Sequence, residues 1–577
     1  MSEIPTSFLK LVSRSHLQAI RDRMARLYGK EDVLILLERL YFLIGRYGMD
    51  GVMELPKDLW SEEDVVLITY ADQVKTEGEP PLQTLERFCT ENLEDLINTI
   101  HILPFCPWSS DDGFSVIDYR QVAQEYGDWE DVQKIGESFN LMFDLVLNHC
   151  SIQSQWFRDF QIGIQPARHY FHERNPGEDL SAVVRPRTTP LLTSVHTREG
   201  ETFVWTTFSA DQVDLNWANP DVLFEFLDIL LDYISKGCRI IRLDAIAFLW
   251  KKKGTDCLHL EETHEVVKLI RDFLEIVAPD VILLTETNVP HEENISYFGD
   301  GEDEAHMVYQ FSLPPLLLHG LLEGTSQHLR EWAASLPELP PKCTFLNFTA
   351  SHDGIGVRPL QDILTHKQIL ALAKKVKQRG GKVSSRTLPD GSESPYELNI
   401  TYLSALDDPK NPELGMQRFL CSQALALSLQ GVPALYFQSL IGAENDLEGL
   451  QETGRNRTIN RKKWDEFELG KTLAHLQTRQ SQVFAKIQHF LRVRIAEPAF
   501  HPNATQEVLD YGDSLFGVLR EALTGESSIL CLYNFTSKPQ KVPALETSAT
   551  DLLSEKEFPA GDAFLLEPYQ SVWLRYN

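Results

Sequence analysis

A chain of 577 residues is too long for one small domain, and a barrel of about 250 residues with elaborations would account for most of it. Hydrophobic residues at 43% and aromatics at 10% exclude a disordered or fibrous chain. The formal charge of −30 would repel a phosphate backbone, which excludes nucleic acid as a partner.

The short basic clusters, Lys251 to Lys253 and Lys374 to Lys382, are expected to be solvated faces. Eight cysteines are scattered with no CxxC and no metal-ligand spacing, so we expect free thiols in a reducing compartment and no metal. The first twenty residues, "MSEIPTSFLKLVSRSHLQAI", lack a long apolar stretch with a small-residue cleavage site, and no run of 18 apolar residues follows. These features predict a cytoplasmic protein that does not enter a membrane.

From about Leu9 to Tyr47 the apolar residues recur at helical spacing, as in "LILLERLYFLIGRY", and residues 1–60 read as a helical extension. Eight short apolar runs follow: "DVVLITYAD", "INTIHILPF", "FNLMFDLVLNH", "CRIIRLDAIAF", "VILLTETNV", "HMVYQFSLP", "CTFLNFTASHD" and "GVPALYF". Helix-like segments separate them. Runs of this kind suit parallel strands buried on both faces. Eight of them alternating with helices predict a (β/α)8 TIM barrel over residues 61–496.

Two connections are too long to be simple loops. The segment at about 150–211, with "RPRTTPLL", reads as a small inserted domain, and a second insertion spans about 354–417. Within the second, "RGGKVSSRTLPDGSESPYELNITYLSAL" is rich in Gly, Ser and Pro and reads as a mobile loop that presents binding residues. Beyond about Glu497 the runs become short and β-like, which predicts a C-terminal β-sandwich over 497–577.

Asp72, Asn148 with His149, Asp244, Glu286, and His352 with Asp353 all fall at the C-terminal ends of strand runs, the face of such a barrel that carries the active site. Asp244, Glu286 and Asp353 should therefore converge at its mouth. Crowding buried carboxylates raises at least one pKa and costs stability, so such clusters mark chemistry. Displacement at a sugar's anomeric carbon needs this inventory: a carboxylate nucleophile and a protonated carboxyl that serves as acid and then base. The third anion can bind sugar hydroxyls. Arg242 lies two residues before Asp244 on the same side of the strand and can keep it ionised. His149 and His352 are placed to donate to hydroxyls, and Phe114, Phe208 and Phe248 to stack on a sugar face.

"DDGFSVIDY", "LVLNH", "RLDAIAF", "LTETNV" and "ASHDGIG" resemble, in order, the conserved regions of the alpha-amylase superfamily of glycoside hydrolases and transglycosidases. The resemblance implies Asp244 as nucleophile, Glu286 as general acid/base and Asp353 as transition-state stabiliser, with Arg242, His149 and His352 in the glucose subsite. "LITYAD", "RPRTTPLL", "TFSADQVDLN", "YQFSLPPLLLHGL", "SHDGIGV" and "RTINR" are similar to the sucrose phosphorylase-like group, which moves glucose from a small glucoside to inorganic phosphate. In that group's terms Asp111 and Arg457 resemble residues holding the far end of the glucose ring, Arg187 a phosphate contact and Tyr396 an acceptor-loop contact. Glu397 stands where sucrose phosphorylases have Gln, which counts against sucrose as substrate.

The helical extension, "DGSESPYELN" and "TETNVPHEENISYFGDGEDEAHMVYQFSLPP" look most like the glucosylglycerate phosphorylases. Glucosylglycerol, sucrose and sucrose 6-phosphate remain alternatives at this point, because Glu397 beside a glycerate carboxylate would repel it unless Arg187, Lys382 or Arg386 compensates. The resemblance implies no cofactor and a monomer or homodimer.

Overall fold

The eight apolar runs become the eight strands of a closed parallel barrel in a computed structural model that describes residues 14–49, 58–387 and 393–576. They are β1 (Val66–Thr69), β2 (Thr99–Ile102), β3 (Asn140–Leu145), β4 (Cys238–Leu243), β5 (Ile282–Thr285), β6 (Met307–Tyr309), β7 (Thr344–Phe348) and β8 (Val432–Tyr436). Each pairs in parallel with its chain neighbours, and β8 closes on β1 through Val66↔Ala434 and Ile68↔Tyr436. Nearly every strand residue is buried, which is why these strands read as continuous apolar runs and not as alternating ones.

Two helices, Arg14–Tyr28 and Val33–Arg46, form the described part of the N-terminal extension. Val33, Leu36, Leu37, Leu40, Leu43 and Ile44 make one buried face of the second helix. Charged tips pin both helices to the barrel's outer helices, with Arg23 on Asp272 at 2.5 Å and Arg39 on Asp221 at 2.8 Å.

Between β3 and β4 the chain builds a three-stranded antiparallel sheet from Glu173–Arg174, Leu192–Thr197 and Gly200–Trp205. His149–Ser151 and Gln212–Asp214 pair antiparallel at its base. After β7 a second small sheet joins Ile355–Gly356, Glu393–Asn399 and Lys382–Thr387. Within the stretch expected as a mobile loop, Lys382–Thr387 and Glu393–Asn399 are thus paired antiparallel strands. Tyr396 and Glu397 are strand residues, their backbone tied to the core side through Val357 N–H and the carbonyl of Tyr396 at 3.1 Å. Val383, Tyr396 and Leu398 supply the β-forming content that the Gly, Ser and Pro residues masked.

The C-terminal region is a six-stranded antiparallel sheet faced by a two-stranded ribbon, Gln540–Val542 with Phe564–Leu566. Period-two alternation splits its core. Phe516, Val518, Cys531, Tyr533 and Trp573 pack with the barrel, while Leu515, Leu530, Leu532, Val572 and Leu574 pack under the ribbon. Arg494 and Arg520, both fully buried, stitch the seam by donating to the carbonyls of Leu427 and Ser428 at 3.0 and 2.6 Å.

Candidate active site

The C-terminal ends of β4, β5 and β7 bring Asp244, Glu286 and Asp353 to the wall of one small cavity of about 70 Å³. Asp111, Phe114, His149, Arg187, Phe208, His352, Tyr396, Glu397 and Arg457 share that wall, while of the expected catalytic and sugar-contact residues Arg242 and Phe248 do not line it directly. Arg242 lies just beneath. A wider mouth of about 440 Å³ opens above it, lined by Arg187, Phe208, Glu397 and Arg457 among others.

Arg242 is the hub of the floor. Its guanidinium donates to Asp244 at 2.7 Å, approaches Glu286 at 3.9 Å and also holds Asp144, its register partner on β3. His101 on β2 bonds Asp144 at 2.7 Å, with both side chains wholly buried. Sequence reasoning missed Asp144 and His101, although each interrupts an otherwise apolar strand run. A charge or imidazole in such a run has to be paired, and that is the signal that marks them.

Ala245, immediately after Asp244, has φ 50°, a left-handed conformation that costs a non-glycine residue about 1 kcal/mol or more. The twist aims its N–H at Glu286 Oε2, 3.0 Å away. Asp111 and Asp112 are likewise left-handed, at φ 54° and 49°. Asp112 is held there by Arg461 and Arg455, and Asp111 faces Arg457 at 3.7 Å.

The carboxyls differ in their electrostatics. Burial raises Glu286, Arg242 opposes it, and the charges of Asp244 and Asp353 push it up again, to about 7. Burial also raises Asp244 above the usual carboxylate range; Arg242 works against that rise and Asp144 adds to it. For Asp353, burial is outweighed by Arg457, Arg461, Arg242 and Arg187, which hold it below the usual range. Burial and the nearby arginines keep His352 well below the ordinary imidazole pKa, so it is neutral, stacked on Phe114 at 4.7 Å and 8°. His149 Nε2 reaches the carbonyl of Phe114 at 3.0 Å, and Phe208 packs edge-on against Phe248 at 5.5 Å.

Glu397 lines the cavity and is ion-paired there. It is 2% exposed, and Arg457 takes both of its oxygens, at 2.8 and 3.2 Å, while the same guanidinium bonds Asp353 at 2.8 Å. Its charge is paired within the cavity wall. Tyr396 beside it carries the guanidinium of Arg187 at 5.8 Å from its ring, and Arg187 has no carboxylate partner among the described residues.

Lys251 departs from expectation. It is buried, not solvated, and its ammonium sits on Asp214 at 2.7 Å, on Asn148 Oδ1 at 2.9 Å and on the carbonyl of Phe248. A lysine ammonium therefore occupies the polar nest at Asn148. Among the described residues no group of three or more His, Cys, Asp or Glu side chains could hold a metal ion.

Residues 93–329 match the alpha-amylase catalytic domain. A glucosylglycerate phosphorylase from Allomeiothermus silvanus is 46% identical over 96% of this chain and 98% of its own, and one from Escherichia coli is 41% identical over 97% of this chain and 100% of its own. The chain belongs to the glucosylglycerate phosphorylase family. A sucrose phosphorylase from Streptococcus mutans, 28% identical over 70% of this chain and 83% of its own, is a more distant relative of that family. Among solved structures, the sucrose 6F-phosphate phosphorylase of Thermoanaerobacter thermosaccharolyticum aligns with a TM-score of 0.72 at 25% identity, covering 82% of this chain and 94% of its own. The expected superfamily, branch and barrel are all borne out.

Proposed function

We propose that the protein is a retaining phosphorylase that moves the α-glucosyl unit of 2-O-α-glucosylglycerate to inorganic phosphate, giving glucose 1-phosphate and glycerate. Asp244 attacks the anomeric carbon while Glu286 protonates the departing glycerate oxygen. A glucosyl ester on Asp244 results. Phosphate then attacks the same carbon from the vacated side, returns a proton to Glu286 and frees Asp244, so that two inversions restore the α configuration.

The observation that carries this reading is the set of full-length relatives, 41–46% identical and all named glucosylglycerate phosphorylase. The site's chemistry agrees. Glu286, at about 7, is available as an acid near neutrality, and its bond to the amide next to Asp244 keeps the two acids close together. Asp353, held ionised by arginines, faces the same cavity, where positive charge develops on the sugar in the transition state. Arg187, in no ion pair among the described residues, offers a cation to phosphate in the cavity wall. The repulsion expected between Glu397 and glycerate is reduced, because Arg457 bonds both oxygens of that carboxylate.

Asp111 and Arg457, 3.7 Å apart in the cavity wall, would hold the far end of the glucose ring, which suits a single terminal glucosyl unit. All of these groups come from one chain, so the reading needs no second subunit and fits a monomer or a homodimer. We place the enzyme in the cytoplasm, where its eight buried, unpaired cysteines stay reduced. Among the described residues no helix is long and apolar enough to cross a membrane.

The test is glucose 1-phosphate release from phosphate plus, separately, glucosylglycerate, glucosylglycerol and sucrose. Release from glucosylglycerate far above the other two is expected. Preference for either of the others would rename the substrate, and free glucose formed without regard to phosphate would make the protein a hydrolase.

A further inference from the structure

The hairpin register carries information beyond the proposed reaction, on whose phosphorylase reading this inference rests. Ser384 pairs with Glu397 and Ser385 with Pro395, so Tyr396 is an extra residue, a β-bulge. The bulge turns Tyr396 and Glu397, though consecutive, towards one cavity. On the opposing strand, Ser384 lines the mouth. Arg386, paired with Ser394, lies two residues beyond Ser384, a spacing that by strand alternation puts the two on one face.

Arg386 is half-buried and has no carboxylate partner among the described residues. Burial, and then the like charge of Arg358, disfavour its cation, while the nearby Tyr396 hydroxyl would favour it. Arg358 follows Val357, whose N–H holds the Tyr396 carbonyl at 3.1 Å. Its own Nε is buried without a partner, and its nearest carboxylate, Glu293, is 3.6 Å away and 42% exposed. Arg187 stands over the Tyr396 ring as the third guanidinium. Three arginines thus lie around one phenol: Arg358 has Glu293 at 3.6 Å, while Glu397 on the same hairpin is already paired with Arg457.

We propose that Arg386, backed by Arg358, receives the carboxylate of the acceptor, leaving Arg187 to phosphate. The division gives the two anionic partners separate cations around Tyr396. It also assigns recognition of the acid to the hairpin, where Glu397 is already occupied by Arg457. A planar guanidinium on a strand offers a carboxylate two parallel donors, which neutral glycerol cannot use.

The experiment compares wild type, Arg386→Gln and Arg386→Lys in two assays: phosphorolysis of glucosylglycerate, and turnover of α-glucosyl fluoride, which has no carboxylate. The ratio of the two kcat/KM values should fall about tenfold to a hundredfold in Arg386→Gln, the usual span for losing a hydrogen bond to a charged group, and recover in part in Arg386→Lys. In the reverse direction, with glucose 1-phosphate as donor, the preference for glycerate over glycerol should fall by the same factor. An unchanged ratio and an unchanged preference would overturn the assignment. Remaining fluoride turnover reports that the variant has folded; should Arg386→Gln fail to fold, the Arg386→Lys ratio decides, its persistence at the wild-type value counting against the proposal. Wild-type protein that ignores glucosylglycerate overturns the functional reading itself, which is distinguishable because no variant is involved.

Discussion

Arg457 closes on Glu397 with two hydrogen bonds, 2.8 and 3.2 Å long, while its other nitrogen bonds Asp353 at 2.8 Å. One side chain therefore joins the acceptor hairpin to the carboxylate proposed to steady the transition state. Glu397→Gln keeps the shape but removes the charge that anchors Arg457. We expect kcat/KM to fall about tenfold on every donor, α-glucosyl fluoride included, since a charged hydrogen bond contributes about 1.5–3 kcal/mol. A changed order of donors with undiminished rates would show instead that Glu397 contacts the acceptor.

Removing the proposed nucleophile should be the most damaging change. Asp244→Ala is expected to lower glucose 1-phosphate formation by about 10⁴-fold or more from every donor, because loss of a group that forms the covalent intermediate cannot be shared out among the remaining residues. Near-normal turnover in that variant would transfer the role elsewhere.

Glu286→Gln separates acid from nucleophile. Glucosylglycerate needs its leaving oxygen protonated, whereas fluoride leaves unaided, so the variant should lose about 10²–10⁴-fold with glucosylglycerate and far less in forming the glucosyl intermediate from α-glucosyl fluoride. Equal losses on both donors would show that Glu286 is not the acid.

The pH profile of kcat/KM follows from the same pair. In the proposed mechanism Glu286 works protonated, and with its pKa at about 7 activity should fall as pH rises through neutrality. Asp244 works there as the ionised partner, and because burial raises it the acid limb should lie above the pH at which an ordinary aspartate titrates. Steady-state kinetics from pH 4 to pH 9 would check both limbs; an alkaline limb that persists in Glu286→Gln would assign it to another group.

The sequence made the barrel legible because each strand is buried on both faces and so appears as an unbroken apolar run. Its catalytic face was legible because strand ends in "RLDAIAF", "LTETNV" and "ASHDGIG" each carry a carboxylate. What stayed hidden depended on three-dimensional pairing. Nothing local to "YEL" says that Glu397 faces an arginine sixty residues away, and Lys251 looks like a surface lysine until Asp214 and Asn148 fold around it. The hairpin was misread because its turn chemistry outweighs, in composition, the few β-forming residues that make it a strand pair.

Lys251 gives a direct check on that last kind of pairing. Lys251→Met should destabilise the fold by about 3–5 kcal/mol, because it strands the buried carboxylate of Asp214. Chemical denaturation would measure it, and a midpoint unmoved from wild type would show that the pair contributes little.

The bulge at Tyr396 makes chain length itself a determinant of substrate choice. Deleting one residue from that strand would restore strict alternation and send Tyr396 and Glu397 to opposite faces, taking either the phenol or the anchor of Arg457 out of the cavity. Related enzymes can therefore diverge in what they accept by gaining or losing a single position here, with every active-site residue type unchanged, and a comparison of such hairpins by residue identity alone would overlook it.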